Sequence, residues 1–458
     1  MEHGNWLLGV PAYSGGEYSE ECYNIGLGRT ISSESETGRM QMIGKTTRAE
    51  FEAYERLLLD WGYRMVSENE IGENRYVEYA KEGSLLFAAY VHAFGEARVI
   101  EDNTSVSSDK FCYAYEPKKN DSITLYQYGL MHDPRGFGEG QDSDGKYGNC
   151  GMFYIIRLAD NGLILIDGGD SRQATPRATE ELVKFLYKIT NTPEDEKLRI
   201  VSIVLTHAHG DHKQFLENLL QDHSHRIVIE RAIHNIPSYT EVNGNPTYPD
   251  FGARLLEKFP DLLYQKAHTG QKLRLGGLEI EVVYTHEDMI DAETGKTHLT
   301  DCNNSSIVLK YNLFGRTVML LGDVGGGNKA PKEYDYWEYR VLESYREGDR
   351  YPFWESEAVQ TSHHAINHYM EPIYAAIKAR IALFTQADVE YDQFAYRCYR
   401  AVVDQVRAAG AKELYFEGRS TTCLEVKRNS EMLVNFIPIA GADDGYMELV
   451  ERYLPFNH

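Results

Sequence analysis

The chain has 458 residues, with 70 acidic against 47 basic side chains and a formal charge of -23. Such a field repels polyanions, so binding of long nucleic acid by phosphate neutralisation is disfavoured, while a small anionic substrate held by a metal stays open. At 42% hydrophobic residues the chain can build real cores, and its length points to more than one domain.

The opening "MEHGNWLLGVPAYSGG" lacks a basic leader and its apolar run stops at Pro11, so neither a secretory signal nor an anchor is expected. Later apolar runs fall far short of the roughly 20 residues that cross a bilayer. Cys22, Cys112, Cys150, Cys302, Cys398 and Cys423 form no CxxC pair, which fits reduced thiols in a cytoplasmic protein. "KTTRAEFEAYERLLLDWGY" opens with a capping box, Thr47 and Glu50. It then places Phe51, Tyr54, Leu58 and Trp61 at helical spacing, which predicts a helix over about 48–62. The alternating, aromatic-rich segments "YRMVSENEI", "RYVEYAKEG" and "LLFAAYVHAFGEARVI" follow, separated by hairpin signals. Residues 1–120 therefore read as a small α+β domain, a helix on an antiparallel sheet, serving as a structural or partner-binding module. Its polar end, 104–120, suits a linker.

From residue 121 a second pattern begins. "SITLYQYGL" reads as a strand, 132–148 as a Gly/Asp-rich loop, and "MFYIIRLADNGLILIDGGD" as a hairpin turning at Asp160-Asn161-Gly162. The helix "TPRATEELVKFLYKI" has Thr175 placed to cap it and Pro176 in its first turn, with Leu182, Phe185, Leu186 and Ile189 on one face. Strands and helices alternate from there to "ELYFEGRSTTCLEVKRN". Hairpins mixed with strand–helix alternation imply an α/β protein of layered sheets with helices outside.

Chemistry concentrates in "VSIVLTHAHGDH". Beyond the apolar strand 200–205, His207 and His209 are separated by one residue. Alternate residues of an extended segment face the same way, so both imidazoles can serve one metal. Asp211 and His212 follow a glycine that lets the chain bend, and can address a second position.

"THAHGDH", with "LILIDGGD" before it and "TVMLLGD" after it, resembles the metallo-β-lactamase superfamily of binuclear metal hydrolases. "NNSSIVLKYNLFGRTVMLLGD", "SHHA" and "AAGAKELYFEGRSTTCLEV" look most like the branch related to the hydrolase domain of the DNA-uptake competence channel protein. The resemblance covers about 122–428. It implies a four-layer αββα sandwich over 121–458, preceded by the small α+β domain. It also implies two divalent metal ions, for which zinc suits the imidazole-rich set and manganese or iron suits a bridging carboxylate.

Carried over by residue, the resemblance puts His207 and His209 on one metal and Asp211 and His212 on the other, with Asp323 bridging. Asp167 braces the histidine loop by hydrogen bonds. His363 is the expected final ligand and His364 the alternative; the family usually has glycine where Ala365 stands. The other histidine of the pair would contact substrate, protonate a leaving group or simply pack, and His368 would be structural. Many members carry another histidine between the HxHxDH motif and the bridging aspartate. His234 is the best-placed candidate here, ahead of His268 and His286.

Two metals about 3.5–4 Å apart lower the pKa of a shared water so that hydroxide forms at neutral pH and attacks carbon or phosphorus. A thiol mechanism through Cys150 or Cys302 has no evident base. The expected activity is hydrolysis of a small phosphodiester or phosphate ester, with thioester, lactone or β-lactam hydrolysis as the alternative chemistry. A non-catalytic, metal-containing ligand- or partner-binding protein is the alternative class. The loop 132–148, an aromatic insertion with Tyr334, Tyr336, Trp337 and Tyr339, and Tyr391 are the candidate pocket features. The insertion's aromatics fit the core face of an added helix equally well.

Overall fold

The computed structural model describes residues 7, 9–25, 38–119, 121–131, 151–237, 251–299, 302–325, 336–365, 370–387, 398–442 and 444–453. Helix Arg48–Asp60 forms where the capping box lies: the Thr47 side chain accepts from Glu50 N, and the Glu50 carboxylate accepts from Thr47 N. Its Phe51, Tyr54 and Leu58 pack on Val77, Tyr79, Leu86 and Val99 of a seven-stranded antiparallel sheet. Alternate residues of the same strands, including Met40, Met42, Tyr76, Phe87 and Ile100, face the rest of the protein.

The body holds two mixed sheets. In the first, Leu163–Asp167, Leu198–Val204, Arg231–His234 and Leu263–Lys266 run parallel. Antiparallel Phe153–Arg157, Ser122–Gln127, Ser420–Lys427 and Met432–Pro438 complete it on the other side. In the second, Lys272–Leu275, Leu278–Tyr284, Val308–Leu313 and Arg316–Leu320 form a meander. Ala358–Gln360, Ile381–Ala387 and Glu413–Glu417 then extend it in parallel.

Ile164 and Ile166 enter the core between the sheets with Leu309, Val318 and Leu383. Leu163 and Leu165 of the same strand pack under helices Pro176–Thr190 and Gln214–His223. Burial on both faces is why "LILI" is apolar without alternation. Met319, Val359 and Phe384 of the second sheet meet helices Glu371–Ile377 and Cys398–Ala408 on its outer side. The result is the four-layer αββα sandwich, with the N-terminal sheet packed against its second outer face. The loops that carry chemistry follow the carboxyl ends of parallel strands, where open α/β sheets place their ligands.

The expected hairpin turn is present: Asn161 takes φ 63°, and Leu158 N bonds Gly162 O at 2.8 Å. Thr175 caps its helix through Ala178 N. The segment expected as a linker is packed instead. Ser108–Phe111 is a short helix whose Phe111 is fully buried, and Ser108 N donates to Glu78 at 2.8 Å. Strand Met432–Pro438 and helix Asp444–Tyr453 extend the fold beyond the expected elements. The strand lies at a sheet edge with Leu433 and Phe436 exposed, so burial stamps no pattern on it.

The N-terminal sheet meets the sandwich through buried polar groups. Arg98 pairs with Asp288 at 2.6 Å. His268 bridges Asp102 at 3.1 Å and Glu287 at 2.8 Å. Among the described residues, no helix is long and apolar enough to cross a membrane.

Candidate metal centre

Strand Leu198–Val204 delivers the chain to Thr206, where the sheet ends. Thr206 N and Oγ1 each donate to the Asp167 carboxylate at 2.7 Å, and His212 Nδ1 lies 2.7 Å from the same group. A carboxylate only accepts, so His212 carries its proton on Nδ1 and turns Nε2 inward. The Thr206 hydroxyl, having donated to Asp167, accepts from His207 Nδ1 at 3.2 Å, which leaves Nε2 of that ring facing in as well. His364 Nδ1 is tied to Thr385 Oγ1 at 3.0 Å. Three rings are thus held in the orientation a metal ligand needs.

Glycines set the backbone beneath them. A Cβ on Gly168 would lie 2.3 Å from Leu216 Cβ. The bare backbone there lets Gly168 O accept from Leu216 N at 2.9 Å, docking helix Gln214–His223 directly behind His212. On the second sheet, Gln360 fixes the loop before Asp323: its Oε1 accepts from Leu321 N at 2.7 Å and Gly322 N at 2.9 Å. Ser306 Oγ accepts from Asp323 N at 3.1 Å.

These anchors bring the side chains of two sheets to one point. Asp323 Oδ2 lies 3.7 Å from His207 Nε2, 3.1 Å from His212 Nε2, 3.6 Å from His364 Nε2 and 3.8 Å from His363 Nε2. Two groups of donors have their ligand atoms within 4.8 Å of one another: His207, His209 and Asp323, and Asp211, His212 and His364. The second is tied to the first by Asp323. Asp167, His207, His212, His364 and Asp323 are buried, whereas the side chains of Asp211 and His363 are 23% and 24% exposed and form the open side.

The electrostatics point to cations. Burial opposes charge on His212, but Asp323 and Asp167 outweigh it and hold the ring well above its ordinary pKa. Burial and then the His212 charge push His207 well below. On His209 burial is outweighed by Cys302 and Asp323, which bring it to about 9. Burial also works against ionised Asp323, yet His212, His364 and His363 keep it well below the carboxylate range. His207 Nε2 and His209 Nδ1 stand 3.0 Å apart, and His212 Nε2 and His364 Nε2 3.2 Å apart. Ring nitrogens this close need a proton or a metal between them. Asp323 Oδ1 is buried with no hydrogen-bond partner among the described residues, an arrangement that costs about 1–3 kcal/mol unless a cation satisfies it. The donor set therefore fits two divalent metals, which would displace the bound protons.

His207, His209, Asp211, His212, Asp323 and Asp167 are brought together where the motif implied. The histidine pair is resolved differently from the expectation. His364, not His363, joins Asp211 and His212, its Nε2 3.3 Å from Asp211 Oδ2. The reason is the turn: His363, His364 and Ala365 all adopt left-handed φ, 46°, 52° and 59°, which turns the second ring inward and the first toward the opening. Non-glycine residues there cost about 1–2 kcal/mol each. His363 N to Gly322 O and Ser362 N to Tyr374 Oη, both 3.0 Å, hold the turn.

His234 belongs to neither donor group. It is buried against Tyr264, whose hydroxyl is 3.3 Å from its Nδ1, and burial brings its pKa down to about 3. His268 and His286 are taken up beside the N-terminal sheet, His286 Nε2 bonding Asn235 Oδ1 at 2.9 Å and Nδ1 the Tyr23 hydroxyl at 3.2 Å. Helix Tyr336–Ser344 buries Val341 and Leu342 in the core, and the Tyr339 ring sits 6.4 Å from Phe94, in the turn between strands Ser84–Val91 and Glu96–Asp102 of the N-terminal sheet. It behaves as an added core helix. The loop 132–148, Cys150, Tyr334, His368 and Tyr391 lie outside the described residues, as do the side chains of Tyr336 and Trp337. Thr206, Thr385, Ser306 and Gln360 were not foreseen. Only the threonine of "LTHAHGDH" had a local signal, its place directly before the motif.

No protein-family model matches the chain, and no curated protein does. Solved structures do resemble it. The metallo-β-lactamase fold protein YhfI from Bacillus subtilis is 14% identical over 67% of this chain and 100% of its own, with a TM-score of 0.37. CmlA, a diiron β-hydroxylase from Streptomyces venezuelae, is 14% identical over 68% of this chain and 55% of its own, TM-score 0.36. A putative metallo-β-lactamase from Thermotoga maritima is 12% identical over 44% of this chain and 79% of its own, TM-score 0.27.

Proposed function

We propose that the protein is a binuclear metal-dependent hydrolase of the metallo-β-lactamase superfamily, near the competence-channel branch, acting on a small phosphodiester or phosphate ester. The observation that carries this reading is Asp323: one carboxylate oxygen within 3.8 Å of four imidazole nitrogens, the other buried and without a partner among the described residues. His207, His209 and Asp323 would hold one metal, and Asp211, His212 and His364, sharing Asp323, the second. A metal pair supplies Lewis acidity and a water made nucleophilic at neutral pH.

The chain's own residues do the rest. Asp167 and Thr206 fix the tautomers of His212 and His207 so that their Nε2 lone pairs face inward, and Thr385 holds the His364 ring in place. Asp211 and His363 line the open side, where the His363 imidazole can donate to an anionic oxygen of the substrate. Helices and sheets close the other sides and exclude water. The charge of -23 supports a small substrate over a long polyanion.

Metal content of protein purified without chelators, followed by turnover of phosphodiesters, phosphate monoesters, thioesters and lactones, tests the reading. About two equivalents of metal and phosphoester turnover that disappears in Asp323→Ala, with the fold intact, are expected. Turnover restricted to thioesters or lactones would move the substrate class. No bound metal after incubation with zinc, manganese or iron would overturn the enzyme reading in favour of a binding protein.

A further inference from the structure

A sheet edge presents unpaired backbone N–H and C=O groups, and folds blunt it by covering it, by charging it or by keeping its strand short. The outer strands of this protein mostly follow that rule. Leu263–Lys266 is covered by residues 105–106, with Val106 N on Tyr264 O at 2.9 Å and Lys266 N on Ser105 Oγ at 2.7 Å. Lys272–Leu275 is covered by Tyr113, whose N donates to Arg274 O at 3.1 Å. Arg64–Ile71 carries Arg64, Glu68 and Glu70, Glu413–Glu417 has a glutamate at each end, and Glu17–Tyr18 is only 2 residues long.

Met432–Pro438 breaks the rule. It reads MLVNFIP, 7 residues without a charge in a chain of net charge -23. It ends the nine-stranded sheet, paired with Ser420–Lys427 on one side and with no strand on the other among the described residues. Leu433 and Phe436 are 53% and 56% exposed, one on each face, because residues three apart on a strand point opposite ways. Leu433 shares its face with Asn435 and Ile437, and Phe436 shares the other with Val434. Ile437 and Val434 are partly buried against the two cores, and the Phe436 ring lies 5.3 Å from that of Tyr415. The strand is thus anchored from within and apolar toward solvent.

We propose that this edge docks a second copy of the chain, the two strands pairing antiparallel about a two-fold axis at Asn435. In that register the strand is complementary to itself. Leu433 faces the partner's Ile437 and Val434 faces the partner's Phe436, so apolar cross-strand pairs form on both faces. Glu431 faces the partner's Ile439 and no carboxylate meets another. Two copies of charge -23 repel each other in general, and along this strip they meet without charge. Pairing joins two nine-stranded sheets into one and satisfies both rows of outward backbone groups. The two-fold uses the same patch on each copy, so assembly closes at two chains.

Sedimentation equilibrium of the full chain tests this. A strand of 7 residues, about 24 Å long, makes a small interface. The mass should therefore rise from one chain of 52.3 kDa toward two between about 1 and 100 µM. Leu433→Lys combined with Phe436→Lys, both at exposed positions, should weaken association at least about 10-fold. Asn435→Cys should form a disulfide-linked dimer on mild oxidation, because facing residues of an antiparallel pair have Cα atoms about 4.5–5.5 Å apart. Leu433→Cys, opposite the partner's Ile437, should not; wild type is the control for the native thiols, and circular dichroism checks each fold. Wild type that stays a single chain up to about 100 µM would overturn the proposal and leave the edge to a strand of a different protein. A dimer that keeps wild-type affinity in the double lysine variant, or that links through Leu433→Cys and not Asn435→Cys, would overturn it by moving the contact to another face or register.

Discussion

Asp167→Asn isolates the step by which a buried hydrogen bond would set the proposed metal ligand His212. The carboxylate is fully buried and meets three donors at 2.7 Å: Thr206 N, Thr206 Oγ1 and His212 Nδ1. The amide is nearly isosteric. Its oxygen can keep Thr206 N, and the Thr206 hydroxyl can rotate to accept from the new NH2. His212 has no such freedom. With a donor facing Nδ1, the ring relieves the clash by moving its proton to Nε2, the nitrogen 3.1 Å from Asp323 Oδ2 and 3.2 Å from His364. That removes the lone pair intended for metal. Losing one charge-assisted hydrogen bond costs about 1.5–3 kcal/mol of stability. Loss of the orienting partner weakens metal binding by about 10–100-fold. Urea unfolding of the metal-free protein reads the first quantity, and zinc competition with a chromophoric chelator the second. Wild-type zinc affinity in Asp167→Asn would refute the reasoning, because His212 would then not bind through Nε2.

Gly168→Ala places a Cβ 2.3 Å from Leu216 Cβ and 2.9 Å from Leu216 N. Helix Gln214–His223 must shift and carry His212 with it, so zinc affinity should fall at least about 10-fold, with a stability loss of about 1–3 kcal/mol in urea. Gly270→Ala is its counterpart away from the donor cluster. At φ +87° its Cβ would lie 2.1 Å from the buried Tyr76 ring, so the melting temperature should drop by the equivalent of about 1–3 kcal/mol while metal content stays at wild type. His268 predicts a pH dependence. Burial opposes its charge, but Glu287 and Asp102 outweigh it and raise its pKa to about 9. The stability it adds is complete below about 6.5, the unfolded value, and is lost as pH rises through about 9. Unfolding free energy should therefore decline by up to about 3 kcal/mol across that window. His268→Gln should flatten the decline, and an unchanged slope would refute the assignment.

Much of this was legible locally. Thr47 with Glu50, Thr175 with Pro176, and Asp160-Asn161-Gly162 each specify an element within a few residues, because capping and turn geometry need only neighbouring atoms. "LILI" was legible as one strand of that hairpin, and the packed helices and second sheet showed that it is covered on both faces. His207 and His209 share a side because an extended chain alternates, which is also a local rule. The sequence therefore determined the layered α/β class and most of the donor cluster.

What it did not determine depends on distant partners. His363 and His364 are adjacent and chemically identical, and the choice between them is made by a run of left-handed backbone anchored to Gly322 and Tyr374. His234, His268 and His286 lie in the right interval for a ligand, but Tyr264, Asp102 and Asn235 claim them. Spacing along a chain fixes which side chains leave a strand together. Which ring finally faces the donor cluster is settled by hydrogen bonds to residues far off in sequence, and only the packed sandwich brings those within reach.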